Sequence, residues 1–223
     1  MKTLIIVPAF NEVGSLAAVI ADLRSHGYKN LVVVDDGSLD ESGSIAKNLG
    51  VMVLTHSLNR GLGAALGTGW EYAKLVRADF VVTFDSDRQH RAADIKKLLA
   101  PLTSGCADVA IGSRLLSRSS DMPWDRLIIS YLSNLLTFIL YGIRSTDSQS
   151  GLRAFNKKAL NCITIKTDRM EVSSEFLKEI KRNKLRFREI PIKPIYTQYS
   201  RQGGQGNLNS FAVAAKMFLR LFR

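Results

Sequence analysis

The sequence predicts an α/β protein, a mostly parallel sheet with helices on its faces. Three observations lead there. Short apolar runs rich in β-branched residues, at 4–7, 31–34, 51–54, 79–84 and 107–111, alternate with segments whose apolar residues return at helical spacing. The first three runs stand in β-α-β-α-β order, which calls for right-handed crossovers and parallel neighbours. Several runs end in clusters of polar and acidic residues, and the C-terminal edge of such a sheet is where ligands bind.

Leu4 to Val7 is the first strand and stops at the turn Pro8-Ala9-Phe10-Asn11-Glu12. Leu16, Val19, Ile20 and Leu23 mark the apolar stripe of a helix closed by Gly27. Leu31 to Val34 is the second strand, ending in Asp35-Asp36-Gly37-Ser38. A helix follows from about Glu41 to Leu49, with Gly50 as its C′ residue, and Val51 to Leu54 is the third strand. The stretch Asn59-Arg60-Gly61-Leu62-Gly63-Ala64-Ala65-Leu66-Gly67-Thr68-Gly69 is similar to a dinucleotide-binding glycine signature, but its spacing is off by one residue and no long strand precedes it. It reads better as the start of a helix, through Leu75, whose backbone passes close to a ligand or to another element.

Asp79 to Phe84 is the fourth strand, Ile95 to Leu102 a helix and Ala107 to Ile111 a further strand, ending in Gly112-Ser113-Arg114. Residues 127–143 form a 17-residue apolar stretch between Arg126 and Arg144, at the lower limit for a membrane span. Within it Ser130, Ser133, Asn134, Thr137 and Tyr141 fall on one helical stripe with Arg126. Such a helix suits a membrane interface with the polar stripe towards the domain, or alternatively a buried core or dimer contact. Next come a polar loop from Ser145 running into a short strand near Phe155, a helix from Lys157 to Cys162, a loop with Met170 and Glu171, a helix from Ser174 to Arg182, and an edge strand from Leu185 to Pro191. Residues 200–206, containing Arg201, are a glycine-rich candidate lid, and a helix from Leu208 mixes apolar with basic faces.

The chemistry centres on Asp85-Ser86-Asp87-Arg88-Gln89-His90. Two carboxylates one residue apart at a strand end repel each other, so a hard divalent cation shared with a diphosphate fits them, and Gln89 offers a neutral oxygen. The plainer alternative is a solvated acidic turn. Arg114 reaches the same sheet edge, where its fork suits phosphate; elsewhere it would be a surface ion-pair partner.

A length of 223 residues suits one α/β domain with additions. The formal charge of +11 predicts an anionic partner: nucleic acid, an anionic membrane surface or phosphate-bearing substrates. Nucleic acid is disfavoured because carboxylates crowd the strand ends. Cys106 and Cys162 form neither a metal pattern nor a disulfide scaffold, which points to a reducing cytosolic setting, and the apolar run before Pro8 is too short for a signal peptide.

Taken in order, Pro8-Ala9-Phe10-Asn11-Glu12, Asp35-Asp36-Gly37-Ser38, residues 59–65, residues 85–90, Gly112-Ser113-Arg114 and Thr146-Asp147-Ser148-Gln149-Ser150-Gly151-Leu152-Arg153 resemble family 2 glycosyltransferases of the GT-A fold. Within that family the chain resembles the dolichyl- and polyprenyl-phosphate hexosyltransferases. The resemblance implies a Rossmann-like GT-A domain over 1–207, an acceptor-side interfacial helix at 127–143 and a C-terminal amphipathic helix at 208–223. It implies that Pro8, Phe10, Glu12, Val34 and Asp36 line the base and ribose pocket. Asp85, Asp87 and Gln89 would hold Mg²⁺ or Mn²⁺ against the diphosphate, with Ser86 touching the donor. Asp87 and Arg114 would be the catalytic pair, and Arg114, Arg126 and Ser130 would receive the lipid phosphate. Relatives usually carry a lysine near the donor phosphates; here Arg201 would take that charge. The middle residue of the acidic pair is Ser86 where the family usually has alanine.

The activity implied is inverting, metal-dependent transfer of a hexose from a GDP-mannose or UDP-glucose type donor to a polyprenyl or dolichyl phosphate at the cytoplasmic face of a membrane. The alternative is transfer to a saccharide or other hydroxyl. A phosphate acceptor is already ionised and needs no general base (second pKa about 6), so Asp147 is not expected to act as one. With a hydroxyl acceptor, Asp147 or Glu171 would serve. Many relatives carry C-terminal transmembrane helices and this chain has none, so either peripheral binding, an anchoring partner or a homo-oligomer is expected.

Overall fold

Side chains alternate along each strand between two apolar cores, and this alternation builds the molecule. The computed structural model describes residues 1–117 and 124–195, with Asp125 and Arg126 by backbone alone. In β1 (Thr3–Ala9), Ile5 and Val7 enter one core, and Leu4 and Ile6 the other. The same division holds for Val33 against Val32 and Val34 in β2 (Leu31–Asp35), and for Val82 against Val81 in β4 (Phe80–Thr83). Ala110 against Ile111 in β5 (Val109–Ser113) and Ala154 against Phe155 in β6 (Arg153–Asn156) continue it. Strands covered on both faces read as unbroken apolar runs, which is why the sequence announced them.

With β3 (Met52–Thr55) and β7 (Phe187–Pro191) as edges, the described strands form one seven-stranded sheet in the order β3-β2-β1-β4-β6-β5-β7. Every pairing is parallel except those of β6, which runs antiparallel between β4 and β5. Helices α1 (Leu16–Ser25), α2 (Ser42–Asn48) and α4 (Ile95–Thr103) cover the first core. Helices α3 (Leu62–Leu75), α6 (Lys157–Cys162) and α7 (Val172–Arg182) cover the second. That second core centres on Trp70, edge-on to Phe155 at 4.9 Å and tilted against Phe176 at 5.5 Å, with its indole N–H donating to the Leu160 carbonyl.

The glycine-rich start of α3 resolves in favour of a second element. A Cβ on Gly61 or Gly63 would overlap the backbone of Thr167 and Asp168, and the Ala64 N–H donates to the Asp168 carbonyl. Gly61 also sits at φ 109°, which L side chains rarely adopt. These glycines let the 165–169 loop cross the helix N-terminus, and Glu175 of α7 pins that loop by accepting from the Lys166 and Thr167 N–H groups.

Helix α5 (Trp124–Tyr141) carries the apolar stretch. Its polar stripe faces inward: Ser130, Ser133 and Thr137 are buried, and Thr137 lies 3.4 Å from Ser174 of α7. Its apolar face looks outward, leaving Ile128, Tyr131, Leu132, Leu135, Phe138 and Ile139 exposed. The helix thus packs one face on the domain, burying Leu136 and Thr137, and leaves the other open, and among the described residues no helix is long and apolar enough to cross a membrane.

Candidate functional site

The C-terminal edge of the sheet gathers the chemistry. Strand β4 delivers Asp85 and Asp87 to the loop that follows it, and β5 delivers Arg114 beside them. Because β6 runs the other way, the loop that leads into it, 145–152, arrives at the same edge. That loop is held on several sides. Asn134 of α5 donates to the Thr146 carbonyl at 2.6 Å and accepts from the Ser148 N–H at 2.8 Å. Glu189 of β7 accepts from the Ser145 hydroxyl and the Thr146 N–H, and Ser113 of β5 bonds the Thr146 hydroxyl.

The loop delivers Asp147, buried to 1% exposure, onto Arg114. The Arg114 Nε donates to Asp147 Oδ2 at 2.7 Å and an Nη to Oδ1 at 2.8 Å, while the Arg114 backbone N–H also donates to Oδ2. Both carboxylate oxygens are engaged in this fork, which fixes the guanidinium. Arg153, the next cation, is buried against the Phe176 ring at 5.0 Å and donates to the Ser148 carbonyl. Burial pulls its pKa down to about 10, against the favourable charges of Asp85 and Asp147, so it stays protonated at neutral pH.

The acidic pair splits in character. Burial pushes Asp85 up, but the hydrogen bond and charge of His90, with Arg153 and Arg114, outweigh it and hold the carboxyl below its ordinary value. Asp87 is pushed above its ordinary value by burial and then by the charge of Asp85. Gln89 donates from its side-chain amide to Asp87. Among the described residues no group of three or more His, Cys, Asp or Glu side chains could hold a metal ion. Two carboxylates with an amide form a hard oxygen set of the kind that binds Mg²⁺ or Mn²⁺ when phosphate and water complete the shell. Among the described residues the buried side-chain atoms without partners are His90 Nδ1, Ser150 Oγ and Arg153 Nε. All three belong to residues around Asp85, and such orphans mark a place where a ligand, ion or water is accommodated. The donor set fits the metal.

On the other half of the edge, Pro8 and Val34 are buried, Val34 within the second core, while Phe10 is 41% exposed and Glu12 accepts from the Ser15 hydroxyl. Asp36 is buried and accepts from the Arg60 and Gly61 N–H groups and from His56 Nδ1 at 2.7 Å, so it anchors the start of α3. Ser86 is buried beside the acidic pair, and Ser130 lies on the inner face of α5. The Arg126 side chain, Arg201, the 200–206 segment and the 208–223 helix lie outside the described residues.

Residues 4–164 match the family model described as glycosyl transferase family 2. The chain belongs to glycosyltransferase family 2. A UDP-N-acetylglucosamine–dolichyl-phosphate N-acetylglucosaminyltransferase of Methanococcus voltae is 37% identical over 97% of this chain and 93% of its own length. A polyprenol monophosphomannose synthase of Mycolicibacterium smegmatis is 31% identical over 74% of this chain and 65% of its own. Among solved structures, glucosyl-3-phosphoglycerate synthase of Mycobacterium tuberculosis, in complex with Mn²⁺, UDP-glucose and phosphoglyceric acid, aligns with a TM-score of 0.69 at 18% identity, over 96% of this chain and 79% of that one. At that identity the likeness is one of fold.

Within this glycosyltransferase, sequence reasoning missed the partners that hold the site. Arg114 and Asp147 are brought together by the reversal of β6, which no local pattern announces. His90 was visible only as the last residue of the acidic motif, and Gly151 and Arg153 only as parts of a loop signature.

Proposed function

We propose that this glycosyltransferase moves a hexosyl group from a nucleotide-sugar to a polyprenyl or dolichyl phosphate at a membrane surface, with inversion at the anomeric carbon and with Mg²⁺ or Mn²⁺ held by Asp85, Asp87 and Gln89. The observation that carries this reading is the reversed polarity of α5. Its inner face grips the loop bearing Asp147 through Asn134, while its outer face exposes a band of large apolar side chains. An acceptor whose tail lies in a bilayer would thus meet the loop that orients Arg114. The names of the dolichyl-phosphate and polyprenol relatives support the same acceptor class.

The divalent cation, when bound, supplies charge neutralisation for the leaving diphosphate. The chain's own residues do the rest. The first two strand ends, with Phe10 exposed, offer the nucleotide its surface. Arg114, fixed by Asp147, presents a guanidinium to the acceptor phosphate, and Ser130 lies on the inner face of α5, the helix that grips the Asp147 loop. Asp147 is 1% exposed and has both oxygens bonded to Arg114, which supports an orienting role over that of a base for a hydroxyl. A phosphate oxygen needs no such help, being ionised near neutral pH (second pKa about 6).

The test is transfer from labelled UDP-N-acetylglucosamine, UDP-glucose and GDP-mannose, each with Mn²⁺, to dolichyl phosphate or to a panel of soluble saccharides. A chloroform-extractable product of inverted configuration from one of the donors is expected, lost on chelation of the metal. Transfer to saccharides alone would overturn the lipid-phosphate reading.

A further inference from the structure

The Asp85 carboxylate, partly exposed, is flanked by two residues that the reading above leaves without a role. On one side His90 brings Nε2 to 3.2 Å from Asp85 Oδ2. The ring is 5% exposed and packs edge-on to Phe84, with centroids 5.8 Å apart and planes at 69°. With the carboxylate as acceptor, Nε2 carries the hydrogen, and Nδ1 is the ring atom buried without a partner. The edge-on contact with Phe84 packs the ring, and Nε2 is the nitrogen it directs to the carboxylate.

On the other side lies Gly151. A Cβ built on its backbone would overlap Asp85 Oδ1, Oδ2 and Cγ together. Gly151 is not among the glycines with positive φ, so its backbone would accept alanine. Glycine here supplies space and not conformational freedom. Thr83, two residues before Asp85, donates its hydroxyl to the Gly151 carbonyl at 2.6 Å, so strand and loop are tied at this point.

We propose that His90 and Gly151 are positioning residues that set the Asp85 carboxylate in the orientation that receives the divalent cation. The proposal rests on Asp85 and Asp87 being the cation's carboxylates. Residues of this kind, one step removed from a metal, change its affinity by about ten- to a hundredfold when altered.

The experiment is Mn²⁺ binding to the full chain, followed by the electron paramagnetic resonance signal of free Mn²⁺, in separate arms with UDP and GDP. His90→Phe keeps the ring packing and removes the donor; it is expected to weaken Mn²⁺ about tenfold or more. His90→Gln, whose amide reaches the Nε2 position, should recover the affinity to within about threefold of wild type, and Gly151→Ala should show a loss of about tenfold. Melting temperatures within about 4 °C of wild type would certify folding. If His90→Phe misfolds, His90→Asn serves instead, because its amide stops at the Nδ1 position and must show the same loss. Unchanged Mn²⁺ affinity in the His90 and Gly151 variants overturns the proposal and leaves the acidic pair its role. Absence of binding by the wild type, or equal binding by Asp85→Asn, overturns both.

Discussion

Arg114 and Asp147 make the clearest case at the scale of single residues. A carboxylate at a sugar-transfer site invites the role of general base, but a base must reach its proton, and Asp147 is 1% exposed with both oxygens bonded to Arg114. The two readings separate in a double-mutant cycle. Asp147→Asn and Arg114→Ala, measured singly and together by kcat/KM for lipid phosphate, should be strongly non-additive, with a coupling of about 1–3 kcal/mol. The double variant should be no slower than Arg114→Ala alone, whereas a further loss in kcat would mark Asp147 as a proton acceptor. The sequence made Asp85, Asp87 and Arg114 visible, because each follows directly from an apolar run that can only be a buried strand. It could not make their partners visible. The pairing of Arg114 with Asp147 spans thirty-three positions and depends on strand direction.

Among elements, β5, β6 and β7 are tied by Asp108. This residue, 2% exposed, accepts from the Arg186 side chain and N–H before β7 and from Asn156 at the end of β6, with Lys158 at 3.4 Å. Burial alone would raise its pKa, but the Arg186 and Asn156 hydrogen bonds and the Lys158 charge hold the carboxyl far below the ordinary range. A depressed folded pKa gives stability that is full above the unfolded value of about 3.9 and lost as pH falls below it. Asp108→Asn should therefore cost about 2 kcal/mol at pH 7. The gap in melting temperature from wild type should shrink steadily below about pH 4, and a gap independent of pH would refute the account. Element boundaries in the sequence fell within two residues of those observed, except that helix α5 starts at Trp124, three residues before the apolar run. The glycine-rich stretch was legible only as a close approach, since what approaches it, the 165–169 loop, lies a hundred residues on.

For the whole molecule, the proposed membrane reading joins the exposed band on α5 to the charge of +11. Arg144 stacks over Phe138 at 5.2 Å at one end of the band, and Lys181 donates to the Tyr141 and Gly142 carbonyls where the helix stops. Apolar area gives insertion depth and the basic surroundings attract anionic headgroups. Co-flotation with vesicles containing anionic phospholipid is expected for the wild type. It should fall about tenfold or more in Leu135→Asp/Ile139→Asp, with melting temperature unchanged, because these side chains are exposed. Retained flotation would point to a second copy of the chain as the cover for this face.

The single reversed strand, β6, divides the sheet's working edge into two regions of separate origin. The proposed base pocket and the acidic pair leave from strand ends built by the first ninety residues, while the loop feeding β6 is delivered from the far side of the divide, hung on α5 and β7. On the proposed reading, substitutions in the loop feeding β6 would change acceptor choice while leaving the strand ends proposed for the donor intact.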